Sequence, residues 1–226
     1  MKYLNYFMFF VWLPFFIVMA LFFSPKVEGL GESTRVFYFH VPVAWVAVLS
    51  FFYSAWYSGR YLRKPDIHFD IKADSAARLG LLFSGLATIS GSMWAKITWG
   101  EYWHWDPRET SILILLFIYL AYFSLRNSIE SDEKRASLAA VYSLVAFATV
   151  PILVFLIPRI FESLHPDPII NERGKIDMGA NIRFIFYGMV IGFIYFFFIL
   201  KRLQEKILRL TQKKYLSLLK DLQKRA

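Results

Sequence analysis

Cysteine is absent from all 226 residues. Disulfides, thiolate metal sites and thiol redox chemistry are therefore excluded for this chain. Charge is also scarce. Asp, Glu, Lys and Arg make up 19% of the sequence, against roughly 25% in a typical soluble domain. Hydrophobic residues account for 57% and aromatics for 19%. So little polar sequence cannot clothe a water-soluble core of this size, and the surplus apolar surface is expected to face lipid. No internal repeat or low-complexity segment is evident.

What is present is long apolar runs. Six stand out, at about 4–23, 41–58, 77–95, 110–125, 138–157 and 183–200. Backbone polar groups in hydrocarbon must be satisfied internally, so each run reads as a helix. No Asp, Glu, Lys or His lies inside a run, and Arg78 and Arg183 sit at edges. Pro151, inside the fifth run, predicts a kink. The first run follows Lys2, is long for a signal peptide and reads as a retained anchor. The expectation is an all-α integral membrane protein with six transmembrane helices, occupying residues 1–200.

The net charge of +9 could suggest nucleic acid, but the positions of the charges favour anchoring at a lipid surface and no nucleic-acid partner. Of the 26 Lys and Arg, 18 fall in the N-terminus, about 59–78, about 126–137 and the tail. The other 8 fall in the alternate segments. Both termini are therefore expected to be cytoplasmic, with outer loops at about 24–40, 96–109 and 158–182. The tail, 201–226, carries Leu203, Ile207, Leu210, Leu218 and Leu222 near helical spacing among Lys and Arg. It reads as a basic amphipathic helix on the inner membrane surface, with a short coiled-coil contact as the alternative.

The middle outer loop is unusual. Trp99, Trp103 and Trp105 are three of the chain's seven tryptophans. An interfacial aromatic belt explains Trp alone. It does not explain Gly100 or the run Asp106, Arg108 and Glu109. An apolar platform with polar fixing groups is how ligand sites are built. Trp faces stack on a macrocycle, and Arg pairs with its carboxylates. Each flanking outer loop carries one histidine, His40 and His165. A lone loop histidine is usually just a solvated side chain. A pair flanking the Trp loop could clamp a porphyrin iron, since neutral imidazole is a common ligand. His68 is expected on the cytoplasmic side, and His104, between two tryptophans, reads as structural.

Trp99-Gly-Glu-Tyr-Trp103-His-Trp105-Asp106 resembles the WGxxWxWD signature, the "WWD" motif, of the cytochrome c assembly haem-handling family, CcmC/CcsA. Span count and length are most similar to its CcmC branch. The segment Asp106-Pro-Arg-Glu109-Thr is similar to the longer CcsA-type branch, so branch and immediate haem acceptor stay open at this point. The resemblance implies that the motif faces the periplasm and binds haem b transiently, through Trp99, Gly100, Trp103, Trp105, Asp106 and Arg108. It implies His40 and His165 as axial ligands of the iron. It also implies a CcmE-like haem chaperone, CcmA- and CcmB-like ABC transporter subunits and a small CcmD-like membrane protein as partners, in a bacterial cytoplasmic (inner) membrane.

Three other classes fit less well. A membrane b-type cytochrome usually ligates haem from within its spans, and no run contains a histidine. An ion-coupled transporter places ionisable residues or broken helices at mid-membrane, and these runs lack acids and bases. An enzyme using His and Asp would need a nucleophile or metal cluster that is not evident. The expected role is therefore binding and presentation of haem, with a haem lyase-like role in a complex left open.

Overall fold

The computed structural model describes residues 2–165 and 178–225. Part of the expected outer loop, 166–177 with Arg173 and Lys175, lies outside the described residues, as do the side chains of Leu218 and Leu222. Six long helices run through the described chain: α1 (Tyr3–Phe23), α2 (Thr34–Arg63), α3 (Ile67–Trp99), α4 (Pro107–Ser128), α5 (Asp132–Ile160) and α6 (Ala180–Arg225). All but α3 are long and apolar enough to cross a membrane. Among the described residues no β-sheet forms, and one isolated bridge pairs Val27 with Gly31.

α3 has the length, 33 residues, but not the apolarity, and its packing shows why. It is wedged between α2, α4 and α6. Its inward stripe is small: Ala73, Ala76, Ala77, Gly80, Ser84 and Ala87 are buried. A methyl group at Gly80 would stand 2.3 Å from the Phe51 ring of α2, so that glycine is what lets the two helices close. Phe51 in turn stacks on Tyr119 of α4, centroids 3.5 Å apart. Small residues at a helix interface allow the close approach that holds helices together in lipid.

The helices are longer than the apolar runs because polar caps sit outside them. Asp66 caps α3 by accepting from the His68 backbone N–H at 2.8 Å. This exposed histidine starts a helix whose other end is Trp99, about 50 Å away at 1.5 Å per residue. α2 begins seven residues before its expected start, at Thr34. Pro42 is accommodated inside α2. His40 is therefore a helix residue, not a loop residue. Beyond Pro151 the α-helical register gives way to a π-helical turn over Ile152–Leu156, which absorbs the missing N–H. The basic tail is helical and continues from the last span without a break, leaving Leu203, Ile207 and Leu210 exposed.

The extended start of α3 also brings charge into the bundle. Asp70 and Asp74 are buried, as is Arg126 of α4. The Arg126 guanidinium grips Asp70 with two hydrogen bonds, 2.7 and 2.9 Å, and its Nε lies 3.5 Å from Asp74. Arg78 closes the cluster on Asp74 at 3.1 Å.

Candidate functional site

At the opposite end of α3, the helix face Gly91, Trp94, Ala95 and Thr98 recurs at helical spacing and forms one wall of a cavity of about 70 Å³. His40 of α2, Leu30 of the first loop and His165 with Leu164 of the segment after α5 complete it. Two histidines far apart in the chain thus share one cavity.

Each imidazole is held by its Nδ1. His40 Nδ1 lies 3.0 Å from Ser90 Oγ. The Ser90 hydroxyl has one hydrogen, which it gives to a backbone carbonyl of its own helix, Leu86 at 2.8 Å. Its oxygen is then left to accept, so His40 carries its proton on Nδ1 and presents a bare Nε2. The ring is wedged in place: a methyl group at Gly91 would stand 2.8 Å from His40 Cε1. The Trp94 ring meets it edge-on at 5.9 Å. Trp94 is itself tied to the first loop, its Nε1 donating to Ser33 Oγ at 3.3 Å.

His165 Nδ1 lies 2.9 Å from Asp106 Oδ1. Asp106 is only 5% exposed and gathers further donors: the Arg108 N–H at 2.9 Å, Ser163 Oγ at 2.8 Å and the Leu164 N–H at 2.7 Å. Burial alone would raise the Asp106 carboxyl. The Arg108 N–H, then Ser163, His165 and the Leu164 N–H overcome it and hold the group below the ordinary carboxylate range. Burial lowers the His165 imidazole; Asp106 pulls it up and the Arg108 charge pushes it down, with a net lowering. The pair is therefore a carboxylate beside a neutral imidazole. Such an imidazole donates Nδ1–H to the carboxylate and turns Nε2 outward, the form that ligates metal.

The tryptophan motif divides into three parts. Trp99 ends α3 and meets His165 edge-on at 4.9 Å and His104 at 5.7 Å. Gly100, with φ at 90°, terminates the helix in the left-handed region. Trp103 and Trp105 form an edge-to-face pair, 5.8 Å apart, on the connecting loop. Trp105 is 70% exposed with φ at 56°, which a bulky residue seldom adopts. Asp106-Pro107-Arg108-Glu109 starts α4 as a capping box, with the Glu109 carboxylate accepting the N–H groups of His104 at 2.7 Å and Asp106 at 3.3 Å. The segment that suggested a second branch is thus a helix start.

Of the expected site residues, the cavity brings together His40, His165 and Trp99. Asp106 lies behind His165 and Arg108 lies within electrostatic reach of it. Gly100, Trp103 and Trp105 sit on the adjoining loop. His104 does not line the cavity. Sequence reasoning missed Ser90, Gly91 and Trp94. The signal for them was present, since 91, 94, 95 and 98 fall on one face of a helix that also carries Trp99 in its last turn.

An all-helical bundle with several membrane-crossing helices and two fixed imidazoles facing one cavity defines a multi-pass membrane protein with a paired-histidine site. A family model described as "Heme exporter protein C" (CcmC) matches residues 2–217, and the chain belongs to that family. It is 31% identical over 158 residues to a "Putative cytochrome c biosynthesis ccmC-like mitochondrial protein" of Marchantia polymorpha, covering 70% of this chain and 66% of that one. It is 30% identical over 174 residues to "Heme exporter protein C" of Bradyrhizobium diazoefficiens, covering 77% and 66%. The Rhodobacter capsulatus protein of the same description is 35% identical over 129 residues, covering 57% and 53%. The chain therefore matches just under two thirds, or less, of the lengths of these relatives.

Proposed function

We propose that this protein binds haem at the outer face of a bacterial cytoplasmic membrane and presents it to a haem chaperone for c-type cytochrome biogenesis. The observation that carries this reading is the shared cavity of His40 and His165, each with Nδ1 engaged and Nε2 left as a lone-pair donor. Two such donors suit the two axial positions of haem iron. The names of the relatives, cytochrome c biosynthesis and haem export, support the same cargo.

Haem is cargo here, haem b bound transiently. The cavity in this structure is smaller than a porphyrin, so its walls part or most of the ring lies outside it. Trp99 offers a ring face beside His165, and the exposed Trp105 extends the aromatic surface outward. Arg108 supplies positive charge for a haem carboxylate. Ligation by two imidazoles fills both axial positions and limits oxygen chemistry while the cargo waits. A CcmE-like chaperone then receives it, with CcmA- and CcmB-like ABC transporter subunits and a CcmD-like small protein as companions. In this reading all six helices span the membrane, α3 inside the bundle where little of it meets lipid, and the 18 to 8 division of basic residues puts both termini in the cytoplasm.

Absorbance spectroscopy of the purified protein tests the reading. A low-spin spectrum with substoichiometric, removable haem supports it. A permanent full complement of haem points instead to a resident electron-transfer cytochrome, and no haem affinity at all removes the proposal.

A further inference from the structure

The two imidazoles are held by unlike groups. His165 donates to a buried carboxylate, at 2.9 Å. His40 is met by neutral groups, the Ser90 hydroxyl 3.0 Å from its Nδ1 and the Ala87 backbone carbonyl. A hydrogen bond to an ionised acceptor is roughly twice as strong as one between neutral groups. It draws the Nδ1 proton away and leaves the ring a stronger electron donor at Nε2. A serine oxygen, already committed to the Leu86 carbonyl through its own hydrogen, does little of this.

Rigidity alone argues the other way, since His40 sits on a helix and His165 on an irregular segment. The segment is not loose at this point, however. The Leu164 N–H and the Ser163 hydroxyl both bind Asp106 Oδ2, at 2.7 and 2.8 Å, and Asp106 itself caps α4. The two residues that precede His165 are anchored to the same carboxylate that polarises its ring.

We propose that Asp106 and Ser90 are positioning residues that make the two ligands unequal, so that His165 is the ligand retained and His40 the ligand surrendered first when haem passes to its acceptor. This rests on the reading that both histidines bind the iron. The exchange breaks the bond from iron to His40 Nε2 and forms one from iron to a donor atom of the acceptor. No electron or proton needs to change place. The acceptor thus approaches from the α2 side, while Asp106 keeps hold of the cargo through His165.

Carbon monoxide serves as the probe ligand. In the haem-loaded full-length protein, reduced under carbon monoxide, the gas displaces one imidazole. Photolysis then exposes the stretching vibration of the iron–histidine bond that remains. Asp106→Asn should lower that frequency, because Asn still caps α4 but no longer offers a charged acceptor. Ser90→Ala should leave it unchanged. The reverse pattern, or no shift in either variant, overturns the inequality. Asp106→Asn should also release haem to excess imidazole roughly tenfold faster or more, the usual scale for losing such a partner of a metal ligand. If Asp106→Asn does not insert, Ser163→Ala takes its place. It removes a donor competing for the same carboxylate, so the frequency should rise, and a fall or no change overturns the proposal. Haem ligation itself is checked separately: if His40→Ala and His165→Ala both keep the wild-type six-coordinate spectrum, the ligand reading fails, whatever the vibration does.

Discussion

Asp106 is at once the cap of α4 and the acceptor for His165 Nδ1, 2.9 Å away. One buried carboxylate therefore joins a helix start, an imidazole and the chain that follows α5. The last residue of the tryptophan signature is not part of an aromatic platform. It is the anchor that turns a distant histidine toward the cavity.

Removal of either cavity histidine should leave a five-coordinate or weakly held haem. His40→Ala and His165→Ala are each expected to lose the low-spin spectrum, and excess imidazole should partly restore it by filling the vacated position. His68→Ala should behave as wild type, because that exposed residue lies at the far end of α3. His104 is the competitor: its ring contacts Trp99 but not the cavity. If His104→Ala abolished the low-spin bands while His165→Ala did not, the ligand assignment would be wrong.

Gly91→Ala probes the fit around His40 without touching a ligand. Alanine in a helix interior ordinarily stabilises by roughly 0.5–1 kcal/mol relative to glycine. Here the new methyl group would meet His40 Cε1 at 2.8 Å, so the ring must turn from Ser90. The expected result is an altered haem spectrum with membrane insertion unchanged. Gly85→Ala, where nothing lies within 4 Å, serves as the silent control. Identical spectra in both variants would separate the Gly91 contact from haem binding.

The helices were legible because lipid imposes one rule along each run, namely continuous apolarity. Their ends were not, because caps and interfacial turns are polar and follow tertiary packing. α2 shows the cost: its apolar run begins at about 41, yet the helix begins at Thr34, and His40 moves from loop to helix. α3 shows another. Its small, polar stripe is buried against neighbours rather than lipid, so composition understates it. At the site, residue chemistry pointed to His40, His165, Trp99, Gly100, Trp103, Trp105, Asp106 and Arg108; the fold lines one cavity with the first three and sets Asp106 against His165. Nothing local in the sequence links positions 106 and 165; only the folded chain does.

The charged cluster at the other end of α3 should carry stability rather than haem chemistry. Arg126→Leu leaves the buried Asp70 without its two-pronged partner and should cost about 3–5 kcal/mol. Thermal unfolding in detergent should show a clear drop in midpoint with the residual haem spectrum unchanged. A variant as stable as wild type would mean that Asp70 takes up a proton or water at no cost.

Orientation is open to reporter fusions. Residues near 65, 130 and 220 are expected inside, and residues near 30 and 103 outside, from the 18 to 8 division of Lys and Arg. A cytoplasmic location for the loop around 103 would place the cavity on the wrong side for an outer haem acceptor, and the proposed function would fail with it.

Trp105 offers the sharpest separation between a cargo surface and an ordinary aromatic belt. Its ring is 70% exposed, so truncation removes little packing. Its backbone sits at φ 56°, a conformation that costs a bulky residue on the order of 1–3 kcal/mol and costs glycine almost nothing. Trp105→Gly should therefore insert normally and unfold at the same temperature or higher. Haem content should nonetheless fall, because the outermost aromatic face beside the cavity is gone. Trp103→Ala should also insert normally and hold less haem, or hold it in altered geometry. It differs from Trp105 because Trp103 is half-buried, so truncation removes packing and some stability should be lost as well. A more stable protein with less haem would mean that strain at Trp105 is kept for the cargo. Unchanged haem content in Trp105→Gly would mean that the ring serves only the membrane interface.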